Sequence, residues 1–235
     1  MEKGPAEFVL THKAAIGKDE AVATLHFKKS DASDMYFFNK YNMQLKKEGE
    51  ELTMKQIIYL RNKEDNISFK EAYNLMNERS VFKEKLTREG EKYQTWIKLD
   101  FKDADNAGNF KLKSQNFGYD LEKALSRYPI TELKDVDLKQ QIVASLQRGN
   151  RQEVTVEVEG KASKMFIEAN PASGINHGLK VYDSQMQRVQ QLGKGQENGV
   201  ANKHQQSEKN KVTGGDEDAP GERPNTRKLK GQRIN

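Results

Sequence analysis

Cysteine is absent from this 235-residue chain, which excludes disulfides, thiolate nucleophiles and cysteine-based zinc or iron–sulfur centres. A chain without a disulfide framework suits a reducing compartment, and a cytoplasmic location is the expectation. Long apolar runs are missing too: nothing approaches the roughly 18 apolar residues that span a bilayer. The opening MEKGPAEFVLTHKAAIGKDEA lacks the continuous apolar core of a secretory signal. The histidines His12, His26, His177 and His204 are widely separated and form neither an HExxH signature nor a compact cluster. GxGxxG and Walker A patterns are both missing, and Gly193 and Gly195 sit in a polar tail with no strand before them and no apolar helix after. Ser68 and Ser80 lack the surroundings of a nucleophile elbow. No cofactor, no membrane contact and no small-molecule substrate is expected.

Apolar content is low as well. Only 34% of the residues are hydrophobic and the mean hydropathy is -0.95, which points to a small core with much solvated chain around it. The net charge of +5 is unevenly spread: from Gln190 to Asn235 there are nine Lys or Arg against six Asp or Glu, so +3 lies there and +2 in residues 1–189. The folding part is close to balanced, which disfavours a nucleic-acid footprint over its whole surface.

What is present centres on a strand and a helix that each need burial, the makings of a small α+β core. The stretch Lys92 to Pro129 reads KYQTWIKLDF, a polar loop, then FGYDLEKALSRYP. Its first part sets Tyr93, Thr95, Ile97 and Leu99 on one strand face and Gln94, Trp96, Lys98 and Asp100 on the other, with Trp96 making the second face partly apolar. Its last part predicts an amphipathic helix over Phe117 to Tyr128, with Leu121, Leu125 and Tyr128 at helical spacing and Pro129 as the stop. Strands are predicted at Glu20 to Lys28, at Met35 to Leu45 and at Thr53 to Leu60, the last two joined by a turn over Lys46 to Glu51. Tyr36, Phe38, Tyr41 and Tyr59 are expected to pack in the sheet. Ser68 with Glu71 forms a capping box before Ala72, Leu75 and Met76. A second short helix is predicted over Val81 to Leu86, and Tyr73 beside it reads as packing. Asp135 to Leu146 predicts a helix ending before Gly149. Glu153 to Val158 and Lys164 to Ala169 predict a hairpin through EGKA, and Leu179 to Asp183 a last short strand. Residues 190–235 hold no aromatic side chain, so burial cannot offset their ordering entropy and a disordered tail is expected.

Candidate chemistry is thin. Asp103, Asp105 and Gly108 fall at positions 1, 3 and 6 of a calcium loop, but Ala107 and Ser114 stand where oxygen donors are required, so a solvated turn with Gly108 or Asn109 in the tight conformation is expected. Asp100 with Asp103, or Asp120 with Glu122, are carboxylate pairs that folding could bring to one cleft. The tail offers Arg223, Arg227, Lys228, Lys230 and Arg233, mobile cations able to neutralise phosphates without specifying bases. Gly149, Asn150, Arg151 and Lys164 could add a second contact, balanced by Glu153, Glu157 and Glu159.

ISFKEAYNLMNERSVFKEKL, YQTWIKLDFKDADNAGNFKL, NFGYDLEKALSRYPI and GNRQEVTVEVEGKASKMFIEANP together resemble an uncharacterised domain family of Bacteroidetes proteins, often encoded near conjugative or mobilisable elements. The resemblance covers about residues 53–183 and brings no catalytic or ligand residues with it. It departs at Met76, Asn77, Glu78 and Arg79, where the family pattern LLxGR has a glycine before the arginine. The segment after FIEANP is also expanded, by SGINHG. The resemblance implies an accessory protein of a mobile element, contacting DNA or a transfer protein.

These readings give an α+β domain over residues 20–189, built of small antiparallel sheet elements with short packing helices. A poorly structured segment at 1–19 precedes it and a flexible basic tail at 190–235 follows. The expected function is noncatalytic binding or accessory work with an unknown protein partner or DNA. One alternative is a nucleic-acid-associated protein tethered by its tail; another is a small hydrolytic or metal-dependent enzyme.

Overall fold

The computed structural model describes residues 4–60, 66–115, 118–171 and 178–189. The predicted tail at 190–235 lies outside the described residues. Antiparallel sheet dominates: three sheets, each a meander of sequential strands, carry the chain, and short helices fill the gaps between them. The α+β expectation holds in that coarse form.

The first sheet is β1 (Glu7–Ile16), β2 (Asp19–Lys29), β3 (Tyr36–Lys46) and β4 (Thr53–Tyr59), paired in that order. Its presence corrects the reading of residues 1–19 as poorly structured. Glu7 to Ile16 pairs without interruption with Lys28 to Asp19, and Gly17, at φ +64°, supplies the left-handed step of the two-residue turn. The strand is fixed by its neighbour: apolar residues lie on both of its faces, so its own alternation is weak.

Helix α1 (Phe69–Met76) follows with the predicted capping box complete. Ser68 N donates to Glu71 Oε2 at 2.8 Å and Glu71 N to Ser68 Oγ at 3.4 Å. Next comes the second sheet, β5 (Val81–Leu86), β6 (Lys92–Ala104) and β7 (Phe110–Gln115). β5 corrects the helix predicted over Val81 to Leu86. Its Lys and Glu content suits a helix, but pairing from Val81↔Ile97 to Leu86↔Lys92 and a Phe82–Trp96 ring contact at 5.3 Å outweigh that weak local preference. At the β6–β7 turn Asp105 Oδ1 accepts from Ala107 N at 2.9 Å and Asn109 N at 2.8 Å, and Gly108 takes φ +81°. That is the expected solvated turn.

Helices α2 (Leu121–Leu125) and α3 (Val136–Gln147) flank a 3-10 turn at Thr131–Lys134. The amphipathic helix predicted over Phe117 to Tyr128 is cut to α2 because Gly118 at φ +64° precedes it and the chain turns at Ser126 toward Pro129. The third sheet is β8 (Gln152–Val158), β9 (Lys161–Ala169), β10 (Leu179–Tyr182) and β11 (Arg188–Val189), in order β11-β10-β9-β8.

Two cores result, and β6 serves both. Ile97 and Leu99 join Ala21, Met43, Leu45 and Leu75 between the first sheet, α1 and one face of the second sheet. Trp96 points the other way, into a cluster with Leu125, Leu146, Val154 and Ile167. Sliding β6 by one residue would exchange Trp96 and Ile97 between cores, so its register is tightly specified. Gly149 seals the junction between α3 and the α1–β5 connection. It has φ +76°, and a Cβ there would sit 2.8 Å from Ser80 O, 3.0 Å from Val81 Cγ2 and 3.2 Å from Asn74 Cβ.

Candidate functional site

An apolar groove of about 470 Å³ opens on the inner face of the first sheet, where α1 begins. His12, Leu25, Phe38, Tyr41, Ile67 and Phe69 form its walls. The local sequence explains each wall. α1 packs on β3 and β4, so the inner face of β1 and β2 is left partly open. Tyr41 is buried and donates its hydroxyl to Ile67 O at 2.7 Å, which ties Ile67 to β3. Burial holds that hydroxyl protonated well above the ordinary tyrosine range, with the Glu71 carboxylate adding to the effect. His12 sits edge-on to Phe69 at 4.8 Å.

The floor beneath the groove is locked by charge. Lys83 Nζ donates to Glu71 Oε2 at 2.8 Å and to Asn66 O at 2.7 Å, and both charged side chains are only about a tenth exposed. One polar atom of the wall is left over: Asn66 Oδ1 is buried and has no hydrogen-bond partner among the described residues.

The groove runs on into a ladder of rings. Phe8 stacks on Phe27 at 4.8 Å, Phe27 on Phe38 at 5.1 Å, and Phe38 reaches Tyr41 at 6.2 Å. A bulge makes this possible. Between His26↔Lys40 and Phe27↔Phe38 the register leaves Asn39 unopposed, which turns Phe38 onto the inner face with Tyr41. Of the four aromatics expected to pack in the sheet, Tyr41 is buried, Tyr36 is half-buried, and Phe38 and Tyr59 are exposed. The strip ends in open apolar surface, with Phe38 38% and Leu10 53% exposed.

A second cleft of about 450 Å³ lies between the second sheet and α2 and α3, against Phe82, Trp96 and Tyr119. Tyr119 is T-shaped to Trp96 at 5.6 Å, and burial pushes its hydroxyl up to about 12. Asp120 and Glu122 both reach this cleft. Asp120 Oδ1 is spent capping α2 through Lys123 N at 3.0 Å, and Glu122 pairs with Lys139 at 2.6 Å. The other carboxylates named from sequence are likewise taken by lysines, Asp100 by Lys113 and Asp103 by Lys111 at 2.9 Å. The Lys113 side chain, helped by Lys102 N, holds the Asp100 carboxyl below its ordinary range.

Sequence reasoning missed a charged cluster around Glu168, which is 3% exposed. Arg151 Nε and Nη2 each donate to Glu168 Oε1 at 2.7 Å, Tyr182 Oη donates to Oε2 at 3.2 Å, and Lys180 approaches at 4.0 Å. Arg151 also lies over the Tyr182 ring at 4.3 Å. Of the hairpin residues weighed as a second contact, Arg151 is committed to Glu168 and Lys164 to Glu153 at 2.7 Å. Asn150 Oδ1 accepts from Asn74 Nδ2 at 2.9 Å. The alternating signal of β9 gave no sign that Glu168 faces inward.

Arg223, Arg227, Lys228, Lys230 and Arg233 lie outside the described residues, as do His177 and His204. Among the described residues no group of three or more metal-binding side chains converges, and no helix is long and apolar enough to cross a membrane. Comparison with protein-family models, curated proteins and solved structures finds no match in any of the three.

Proposed function

We propose that the chain is a noncatalytic binding or accessory protein whose groove on the first sheet receives an apolar segment of a protein partner. The observation that carries this reading is the make-up of the groove: aromatic and aliphatic walls with one buried acceptor, Asn66 Oδ1, that has no hydrogen-bond partner among the described residues. A buried carbonyl without a donor costs about 1–3 kcal/mol, and an incoming backbone N–H offsets that cost. The shape supports a chain segment over a compact ligand, because the apolar surface continues across three strands from Tyr41 to Phe8. The sequence resemblance supplies the setting, an accessory role for a bacterial mobile element, with a transfer protein as the partner. A second reading rests on the five cations from Arg223 to Arg233, which would tether the chain to nucleic acid.

The test is selection of peptides from a random display library against the full chain. Enriched peptides should be rich in aromatic and aliphatic residues. Their binding should fall at least tenfold in Phe38→Lys, checked for retained fold by circular dichroism, and persist in Lys123→Ala at the distant α2. No enrichment, or enrichment indifferent to Phe38→Lys, would sink the reading.

A further inference from the structure

The outer edge of β1 is the other unfinished feature of the first sheet. β1 heads the strand order, and among the described residues nothing pairs with its far side. It is ten residues long, carries no proline and pairs with β2 without a bulge. Val9 and Leu10 are 55% and 53% exposed. Natural edges are usually blunted by proline, bulges or several charges. Here Lys13 is the only Lys or Arg and Glu7 the only Asp or Glu in the strand.

The backbone dictates which residues of this edge can bond outward. Lys29 N donates to Ala6 O at 2.8 Å, so Ala6, and with it Phe8, Leu10, His12 and Ala14, turn their peptide groups toward β2. Glu7, Val9, Thr11, Lys13 and Ala15 turn theirs outward. A symmetric antiparallel pair made from two such edges must set outward residues opposite outward residues. One register that does so is centred on Leu10. It places Glu7 opposite Lys13, Val9 opposite Thr11, and Leu10 opposite its own copy. Both charges of the strand are then matched twice, once on each side of the two-fold axis.

We propose that two copies of the chain join through β1 in this register, fusing their first sheets into one continuous eight-stranded sheet. Each Glu7 and Lys13, neither of which has an ion-pair partner among the described residues, meets its opposite across the interface. On the inner face Phe8 of the second copy lies opposite His12, a wall of the groove, so each copy completes the other's apolar strip. α1 packs mainly on β3 and β4, and it touches β1 at His12, through Phe69, and at Ile16 O, through Tyr73 Oη. The peptide groups of these two β1 residues face β2, so the outward peptide groups of the edge stay uncovered among the described residues. The proposal does not rest on the groove having an occupant.

The absence of cysteine makes the register directly readable. In Leu10→Cys the two thiols fall at a non-hydrogen-bonded pair with Cα atoms about 4.5 Å apart, inside the range a disulfide bridges. In Lys13→Cys they are six residues out of step, roughly 20 Å apart. Under mild oxidation of the full chain, Leu10→Cys should give a covalent dimer at least tenfold faster than Lys13→Cys. Sedimentation equilibrium of the unmodified chain should show a dimer. Lys13→Glu should weaken it about tenfold or more, and Glu7→Lys with Lys13→Glu should restore it. A monomer at 100 μM, a dimer indifferent to Lys13→Glu, or Thr11→Cys crosslinking faster than Leu10→Cys would each overturn the proposal. So would dimerisation only after removal of residues 190–235, which would make the chain's own tail the occupant of the edge. These results are separable from the peptide selection, because Phe38→Lys leaves the β1 edge intact.

Discussion

Replacing Gly149 by alanine tests how the two cores are joined, and Gly160 provides an internal control. The two glycines have nearly the same backbone, φ +76° and +75°. An alanine in that region costs about 1–2 kcal/mol, reduced by about 0.4–1 kcal/mol because alanine also restricts the unfolded chain. At Gly160, where nothing lies within 4 Å of the added methyl, the net loss should be about 0–1.6 kcal/mol. At Gly149 the methyl meets Ser80 O at 2.8 Å, Val81 Cγ2 at 3.0 Å and Asn74 Cβ at 3.2 Å. The nearest of these is backbone and cannot rotate away. Asn74 is held as well, its Nδ2 donating to Arg148 O at 2.7 Å. Overpacking adds about 1–3 kcal/mol, so Gly149→Ala should lose roughly 1–4.6 kcal/mol in all, about 1–3 kcal/mol more than Gly160→Ala. Equilibrium urea unfolding, with the slope compared between variants, reads the difference. Adding Val81→Ala should not rescue Gly149→Ala, because Ser80 O stays. Equal losses at the two glycines would refute the idea that α3 and the α1–β5 connection meet at this point.

Glu78 stands at φ +60° at the end of α1, a backbone conformation that glycine takes without strain, so Glu78→Gly should stabilise by about 1 kcal/mol in the same urea assay. Tyr119 supplies a pH dependence: its folded-state value of about 12 lies above the ordinary 10.0. The stability due to keeping this hydroxyl neutral is therefore fully present below about pH 10 and is lost as pH rises toward 12, by up to roughly 2–3 kcal/mol. Unfolding curves at pH 9 and pH 11 should differ less in Tyr119→Phe than in the unaltered chain. If the tail tethers nucleic acid through Arg223, Arg227, Lys228, Lys230 and Arg233, binding to a generic duplex should fall with salt with a log–log slope of about -4 to -5. An affinity unchanged by removing residues 190–235 would rule that tether out.

The parts of the fold legible in the sequence are those whose cause is local. The β8–β9 hairpin announces itself by alternation around EGKA, and Ser68 and Glu71 announce the start of α1 by their spacing. β3 and β4 stand out because Met43, Leu45 and Ile58 alternate with polar neighbours in strands bounded by turn residues. β1 and β5 failed for a different reason. In EFVLTHKAAI both faces carry apolar residues, and in VFKEKL the charges that favour a helix lie on a strand held by β6. Such strands form because a partner edge is waiting, and a single sequence does not print its partner. α2 was over-extended because apolar spacing from Leu121 to Tyr128 survives on a chain that Gly118 and Pro129 prevent from coiling over that length.

The groove was less legible than the fold because every wall of it is brought in from elsewhere. His12 faces Phe69 across more than fifty residues, and Phe38 reaches the inner face only because Asn39 bulges out of register. The capping box at Ser68 and Glu71 could be read, but not that Glu71 would also hold Lys83, nor that Lys83 would hold the loop carrying Asn66. Glu71 satisfies the α1 N-terminus and Lys83 together, and Lys83 in turn holds Asn66 O beside the groove. An uncovered aromatic ladder leaves apolar area in water. The uncovered β1 edge leaves peptide groups in the same condition. Both deficits lie on the first sheet, so the two proposed contacts fall on the side that the earliest strands build.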